Sequence, residues 1–124
     1  SARFENYINY PEEREQLLSE IEKNDIKGVL FLTGDRHFSE LSKLDRKNKY
    51  PLYDWTVSPL TSSIAASYKD DVNQNRVDGS LFSVNNFGII SFTGNKENRQ
   101  LKLTLFDKNG AELWQKTLFK KDLE

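Results

Sequence analysis

The fold of this chain is decided by the stretch Gly28-Val-Leu-Phe-Leu-Thr-Gly-Asp35-Arg36-His37, a continuous apolar run that ends in a polar turn. Apolar runs with β-branched and aromatic members are typical of strands that are buried on both faces. Ligands of open sheets gather just beyond the carboxyl ends of such strands. The turn therefore places an acid, a guanidinium and the only histidine of the chain where a metal or phosphate site is built.

An amphipathic helix is predicted just before this stretch, from Tyr10 to Ile21. Pro11 suits the first position of a helix, and the acids that follow it face the positive end of the helix dipole. Asn24 and Asp25 are expected to end the helix. A helix followed by a buried strand is half of an α/β unit.

The segment after His37 is predicted to hold two short strands separated by loops. Phe38–Leu41 continues briefly as a strand, and Leu52–Val57 forms the next one, with alternate side chains on one face. Leu44–Tyr50 is rich in charged residues and is predicted to be an exposed loop. Ser58–Ser63 is a polar turn, and Ser67–Ser80 is a long irregular loop, which in a compact domain is usually functional or disordered.

The last third of the chain is predicted to be an antiparallel meander. Phe87–Thr93 precedes a Gly94-Asn95 turn, and Leu101–Leu105 alternates apolar and polar residues. Asp107–Gly110 is a hairpin turn because Asn and Gly tolerate positive φ, and Glu112–Phe119 is the returning strand. The expected fold class is α+β, with an α/β-like start and a terminal meander.

Composition excludes several classes of function. The 124 residues suit one domain or part of a larger one, and 18 basic residues against 19 acidic ones leave no basic excess of the kind that nucleic-acid binders carry. There is no cysteine, which excludes disulfides, thiolate metal sites and cysteine nucleophiles. No apolar run approaches the roughly 20 residues that cross a bilayer.

Asp35 and His37 are the first candidate site residues. Carboxylate and imidazole are common ligands of hydrolase metal ions, and their i, i+2 spacing aims both side chains the same way in an extended backbone. The alternative is a turn aspartate bonded to its own backbone beside a surface histidine. Arg36 can clamp a phosphate oxygen, or it can simply pair with a nearby acid.

Other polar positions have simpler explanations. The hydroxyls of Ser58–Ser63 have no evident base except His37, so a strand-ending turn is favoured over a serine nucleophile. Asn85 and Asn86 can present amides to a site, but a turn into the last sheet is favoured. Trp55 and Trp114 are expected in the core, because large aromatic side chains dominate the buried area of small domains.

Taken together, these residues resemble the carboxy-terminal part of the alkaline phosphatase D (PhoD-like) family of metallophosphoesterases. The matching elements, in the family's order, are Tyr10–Arg14, the run Gly28–Thr33, the motif Gly34-Asp35-Arg36-His37, the turn Ser58–Thr61 and the segment Asn86–Gly88.

The resemblance implies a phosphate mono- or diester as the substrate of the intact protein, with water activated at a pair of metal ions. It implies that His37 and Asp35 act as metal ligands and catalytic residues, with Asp35 in place of the first histidine of a Gly-His-x-His motif, and that Arg36 binds substrate. The metal is divalent or trivalent: calcium, iron, manganese or zinc. The resemblance also implies export to the periplasm or the cell exterior.

The family's earlier metal motifs are absent from this chain. Residues 1–124 are therefore expected to be the C-terminal part of a metallophosphatase-type β-sandwich flanked by helices, with negligible catalysis alone and a tendency to form homo-oligomers. The alternative that the sequence leaves open is a non-catalytic, β-rich binding or interaction module.

Overall fold

A computed structural model describes residues 7–47, 49–66, 68 and 71–123 of the protein. This part of the chain contains one α-helix, six strands and two short 3₁₀ turns, at Tyr7–Asn9 and Lys120–Asp122. The helix and strands are α1 (Pro11–Lys23), β1 (Leu30–Thr33), β2 (Glu40–Arg46), β3 (Lys49–Thr56), β4 (Asn86–Thr93), β5 (Gln100–Asp107) and β6 (Glu112–Phe119).

The helix α1 begins and ends where the sequence predicts. Pro11 is its first residue, where a missing N–H costs no hydrogen bond. At the other end the N–H of Ile26 donates to the carbonyl of Ile21 at 3.0 Å, and the N–H of Asp25 donates to that of Glu22 at 3.1 Å. This is a Schellman motif, and it accounts for the positive φ of Asp25, which is 50°.

The first sheet has the strand order β1-β3-β2. β1 runs parallel to β3, with Leu30 opposite Tyr53, and β2 runs antiparallel to β3, with Leu41 opposite Trp55. Because β1 and β3 are parallel, their carboxyl ends lie at the same edge of the sheet. The Gly34–His37 turn therefore lies beside the segment that follows β3.

The second sheet is the predicted meander. Its order is β4-β5-β6, and both pairings are antiparallel. In the turn between β5 and β6, the carboxylate of Asp107 accepts hydrogen bonds from the N–H groups of Asn109 and Ala111, each at 2.8 Å. The prediction of a hairpin at Asp107–Gly110 is confirmed.

The two sheets share one hydrophobic core, made by Leu41, Tyr53 and Trp55 of the first sheet and Leu101, Leu103, Leu105 and Leu118 of the second. The sheets approach closely at Gly88, where a Cβ atom would lie 2.5 Å from Cη2 of Trp55. The described part of the chain is mostly β with one α-helix, which agrees with the α+β expectation. Its assignment to a metallophosphatase-type sandwich remains a proposal.

The prediction that the first strand is buried on both faces is wrong. β1 is shorter than expected, and its residues range from half-buried to exposed. The side chain of Leu32 is 62 % exposed. The reason is its position, because β1 lies at the edge of its sheet and pairs only with β3 within the described residues.

The prediction of an exposed loop at Leu44–Tyr50 is also wrong. This segment contains the end of β2 and the start of β3, which pair as a hairpin with Leu44 opposite Leu52. The predicted short strand at Phe38–Leu41 accordingly begins at Glu40 and runs on to Arg46. An edge strand with charged side chains on its solvent side has a composition similar to that of a loop. For this reason the sequence pattern predicted a loop here.

The predicted irregular loop at Ser67–Ser80 is irregular where the structure describes it, and residues 67, 69 and 70 lie outside that part. Its second half is nevertheless bonded to β2. The N–H of Lys43 donates to the carbonyl of Asn75 at 2.7 Å, and that of Val77 donates to the carbonyl of Leu41 at 2.8 Å. Over the described part of the chain, no helix has the length and apolar character needed to cross a membrane.

Candidate functional site

The turn after β1 holds two ionisable residues in an unusual backbone conformation. Asp35 has a φ of 64° and His37 a φ of 57°, both in the left-handed region. Non-glycine residues with positive φ are uncommon, and such strained positions cluster at functional sites. The turn expected after the strand is therefore present, and this turn, not an extended backbone, presents the side chains of Asp35 and His37.

The backbone of His37 is anchored on both sides. Its N–H donates to Oγ of Ser58 at 3.2 Å, and its carbonyl accepts a hydrogen bond from the N–H of Ala65 at 3.0 Å. Ser58 lies just beyond the end of β3, after Val57. The parallel pairing of β1 and β3 is therefore what brings the motif and this serine together.

A fully buried polar network lies behind this anchor. Oγ of Ser39 donates to Oδ1 of Asn86 at 2.8 Å and accepts from the N–H of Ser58 at 2.9 Å. Nδ2 of Asn86 donates to the carbonyl of Ser58 at 3.0 Å and to that of Val84 at 2.7 Å. Since Asn86 begins β4, its amide ties the second sheet to the turn that carries His37.

Sequence reasoning favoured a plain turn at Asn86 and missed this role, and it did not single out Ser39. Asn86 is 1 % exposed and belongs to a strand, although its neighbour Asn85 lies outside it. One feature of the sequence could have indicated this role of Asn86: Ser58–Thr61 and Asn86–Gly88 both belong to the ordered set of motifs. Each motif contributes one partner to the same network.

The side chains of Asp35 and His37 are accessible. Asp35 is exposed and His37 is half-buried. Within the ranges that the structure describes, neither the Asp35 carboxylate nor the His37 imidazole makes a hydrogen bond or an ion pair. Both are therefore available to an external ligand.

The donor set for a metal ion is incomplete among the described residues. Catalytic zinc sites, for comparison, use three protein ligands, and Asp35 and His37 supply two. No cluster of three or more His, Asp or Glu residues able to hold an ion occurs among the described residues. Among the residues that the structure describes, Asp35 and His37 could supply part of a metal site, and no further ligand completes it.

Arg36 is partly buried and held by two contacts. Its Nη2 donates to Oδ2 of Asp71 at 2.6 Å, and its guanidinium lies over the ring of Phe38, 4.7 Å from the ring centroid. The side chains of Arg36 and Asp71 are both largely buried. Arg36 thus makes the acid pairing that the sequence offered as the alternative to a phosphate contact.

Two further acids lie near this turn, on the first sheet. Glu40, 3 % exposed, accepts from Nε of Arg76 at 2.5 Å and from Nδ2 of Asn73 at 2.9 Å. Asp54 accepts a hydrogen bond from Oγ1 of Thr33 at 2.7 Å. Burial raises the pKa of the Asp54 carboxyl, and the hydrogen bond from Thr33 opposes that rise.

Ser58 is not arranged as a nucleophile. Its Oγ accepts from the backbone of His37, and no described carboxylate accepts a hydrogen bond from the imidazole that an activating triad requires. The turn interpretation of Ser58–Ser63 therefore agrees with the geometry.

Comparison with known proteins gives one family. No curated protein and no solved structure gives a significant match. The family model described as PhoD-like phosphatase matches residues 3–108, which is most of the chain and includes the Gly34–His37 turn and Asn86. The chain belongs to the PhoD-like phosphatase family.

Proposed function

We propose that the Gly34–His37 turn contributes to the active site of a metal-dependent phosphomonoesterase or phosphodiesterase. The observation that carries the proposal is the pair of accessible donors, Asp35 and His37, held in left-handed backbone at the end of a strand. The support from outside the structure is membership of the PhoD-like phosphatase family. Metal ions in this class of site activate water and neutralise charge on phosphoryl oxygens.

In this proposal His37 and Asp35 are metal ligands, and the ion is calcium, iron, manganese or zinc. The network behind His37 fixes where its backbone lies, because Ser58 is held by Asn86 and Ser39. Arg36 stays a candidate for substrate contact only if its ion pair with Asp71 opens. Its stacking on Phe38 otherwise makes it a support for the turn.

We propose further that residues 1–124 are the C-terminal part of a longer metallophosphatase domain and are inactive alone. The two-donor set supports this, since the remaining ligands must then come from elsewhere. The exposed edge strand β1 supports it too. A second strand paired to that edge would cover Leu32, which is now 62 % exposed.

The test uses the intact protein that carries this chain, assayed with p-nitrophenyl phosphate and bis-p-nitrophenyl phosphate. His37→Ala is expected to lower kcat/KM by about a hundredfold or more, as does the loss of a group that acts on the reacting centre. Glu112→Gln, an exposed change at the start of β6, is the matched control and should retain full turnover.

Near wild-type activity of His37→Ala removes this histidine from the mechanism. If the intact protein hydrolyses neither ester with any of the four metals, the alternative of a non-catalytic binding module is favoured. Activity of the 124-residue chain alone contradicts the proposal that the domain continues beyond it.

A further inference from the structure

A cleft of about 360 Å³ separates α1 from the first sheet, on the face of the sheet that points away from the core. The apolar part of its lining includes Leu17 and Leu18 from the helix and Phe31, Leu44 and Leu52 from the sheet. We call it the helix–sheet cleft. Leu17 is 36 % exposed although it belongs to the apolar stripe of α1, so the helix does not close onto the sheet.

The polar part of the helix–sheet cleft is built around Asp54. Oγ1 of Thr33 lies 2.7 Å from Oδ1 of Asp54 and 2.8 Å from Oγ1 of Thr56. Asp54 makes this one hydrogen bond and no ion pair within the described ranges. Its carboxylate thus faces the cleft with part of its hydrogen-bonding capacity unused.

The other acids that line the cleft are neutralised by arginines. Glu40 is paired with Arg76, and Asp71 is paired with Arg36, each at hydrogen-bonding distance. Arg36 acts on Asp54 only through space, without contact. Arg14 also lines the cleft, and it is bonded to Glu15 at 3.1 Å on the solvent side. Asp54 is therefore the one lining carboxylate for which the described residues supply no cation.

We propose that the helix–sheet cleft binds an apolar amine, whose ammonium group pairs with Asp54 and whose hydrocarbon part lies between α1 and the first sheet. Small-molecule sites combine apolar walls with a few placed polar groups in just this way. A cation bound there would offset the burial that raises the pKa of Asp54. An apolar anion would instead meet an unpaired carboxylate, so charge complementarity selects the amine.

Binding to the 124-residue chain tests the proposal, and it does not depend on phosphatase activity. The probes are hexylamine, hexanol and hexanoate, titrated by NMR at about pH 8, well above the ordinary pKa of an aspartate. We expect saturable shifts at Thr33, Asp54 and Thr56 with the amine. Hexanol should bind at least about tenfold more weakly, and hexanoate should not bind.

Two variants separate a specific site from general apolar adsorption. Asp54→Asn keeps the size of the side chain and the bond from Thr33, and it should lower the affinity for hexylamine by about tenfold while leaving hexanol unchanged. Asp45→Asn is the control, because Asp45 is exposed and paired with Lys43 outside the cleft.

Leu17→Lys is a second test that leaves the sheet untouched. A lysine on this partly exposed position of α1 should repel the amine from the cleft and leave the thermal stability of the chain unchanged. Equal affinity for the three probes, an unchanged affinity in Asp54→Asn, or no saturable shift with hexylamine would overturn the proposal.

Discussion

The two sheets differ in how far along the chain each strand finds its partners. In the second sheet, β4, β5 and β6 pair in chain order through short turns. In the first sheet, β1 pairs with β3, so that Leu30 meets Tyr53, and β2 takes the outer position. The second sheet is held together by pairing between strands that are neighbours in sequence. The first sheet is also held by distant segments, through hydrogen bonds from residues 73–82 to β2 and the residue before it.

The candidate site lies on the sheet that depends on distant contacts. Its motif follows β1, its anchor follows β3, and its buried amide comes from β4 of the other sheet. The second sheet therefore acts as a scaffold, while the first sheet carries the proposed site. The following predictions test that division, beginning with the contact that joins the two.

The largest effect on the contact between the sheets is expected at Gly88, where they touch. Its backbone has no positive φ, so Gly88→Ala is disfavoured only by the 2.5 Å contact of the new Cβ with Trp55. Overpacking of this kind costs about 1–3 kcal/mol in the free energy of unfolding, which thermal and urea unfolding measure.

Ser91→Ala, on the exposed part of the same strand, is the matched control for Gly88→Ala. In a Trp55→Leu background the cost of Gly88→Ala should largely vanish, because the ring is gone. A full cost in that background would mean that the sheets do not meet at this pair.

A comparable loss is expected at the polar link between the sheets. Asn86→Ala removes the hydrogen bond from Ser39 Oγ and the bonds from Nδ2 to the carbonyls of Ser58 and Val84. The loss of buried hydrogen bonds of this kind costs about 1–3 kcal/mol. Chemical unfolding gives the cost, and the imidazole NMR signals of His37 should shift, because its anchor Ser58 loses support.

Asn85→Ala is the neighbouring control, since Asn85 donates to the carbonyl of Ser62 on the exposed side. It should cost less and leave the His37 signals in place. Equal effects from the two variants would show that Asn86 has no special link to the site.

β1 provides a sharper test of what lies beyond the first sheet. Leu30 and Leu32 share one face of this strand, but Leu30 packs against the core and Leu32 is exposed. Leu32→Lys should change the stability of the isolated chain by no more than about 0.5 kcal/mol, whereas Leu30→Lys should unfold it. Circular dichroism during heating makes the measurement.

In the intact protein, Leu32→Lys should become destabilising, because another strand is proposed to cover that position. Sedimentation of the isolated chain adds a check on the expected homo-oligomer, since the new charge should weaken association through this edge. An effect of Leu32→Lys that is equally small in both forms argues against a covered edge.

The smallest effects are in the pH dependence of stability, and they have opposite signs in the two sheets. The pKa of Asp54 is raised by burial, so the protein loses stability as pH rises through the titration of this group. The pKa of Asp107 is lowered by backbone N–H groups of its turn, so that stabilisation is lost as pH falls through its lowered value.

Asp54→Asn should therefore be more stable than the wild type at neutral pH, and this difference in unfolding free energy should disappear in acid. Asp107→Asn should be less stable than the wild type at neutral pH and equal to it in acid. Unfolding free energies from about pH 2 to pH 7, around the ordinary aspartate pKa, give both curves. If both substitutions changed the unfolding free energy in the same direction at neutral pH, the opposite pKa shifts of Asp54 and Asp107 would be contradicted.

The parts of the fold that local chemistry determines could be predicted from the sequence. Pro11 and Asn24 mark the ends of α1, and Asp107–Gly110 marks a hairpin, because each signal acts within a few residues. The loop expected at Leu44–Tyr50 and the burial expected for β1 were wrong. Both depend on strand order, which only contacts between distant residues determine.

The candidate site could be predicted only in part for the same reason. Asp35 and His37 stand out as residue types at a strand end, and the structure adds their left-handed backbone. Asn86 and Ser39 could not be assigned a role, since their importance lies in a network that spans three separate segments. The sequence offered an acid as one possible partner of Arg36, but it could not identify Asp71, which lies 35 positions away.

The central proposal is that this chain supplies only some of the ligands of a metallophosphatase metal site. Its most direct test is the metal content of the purified 124-residue chain by mass spectrometry, after incubation with calcium, iron, manganese and zinc and removal of loosely held ions. The account predicts no tightly bound ion in the chain alone and a metal pair in the intact protein. About two tightly held ions per isolated chain, as in a complete two-metal site, would contradict it.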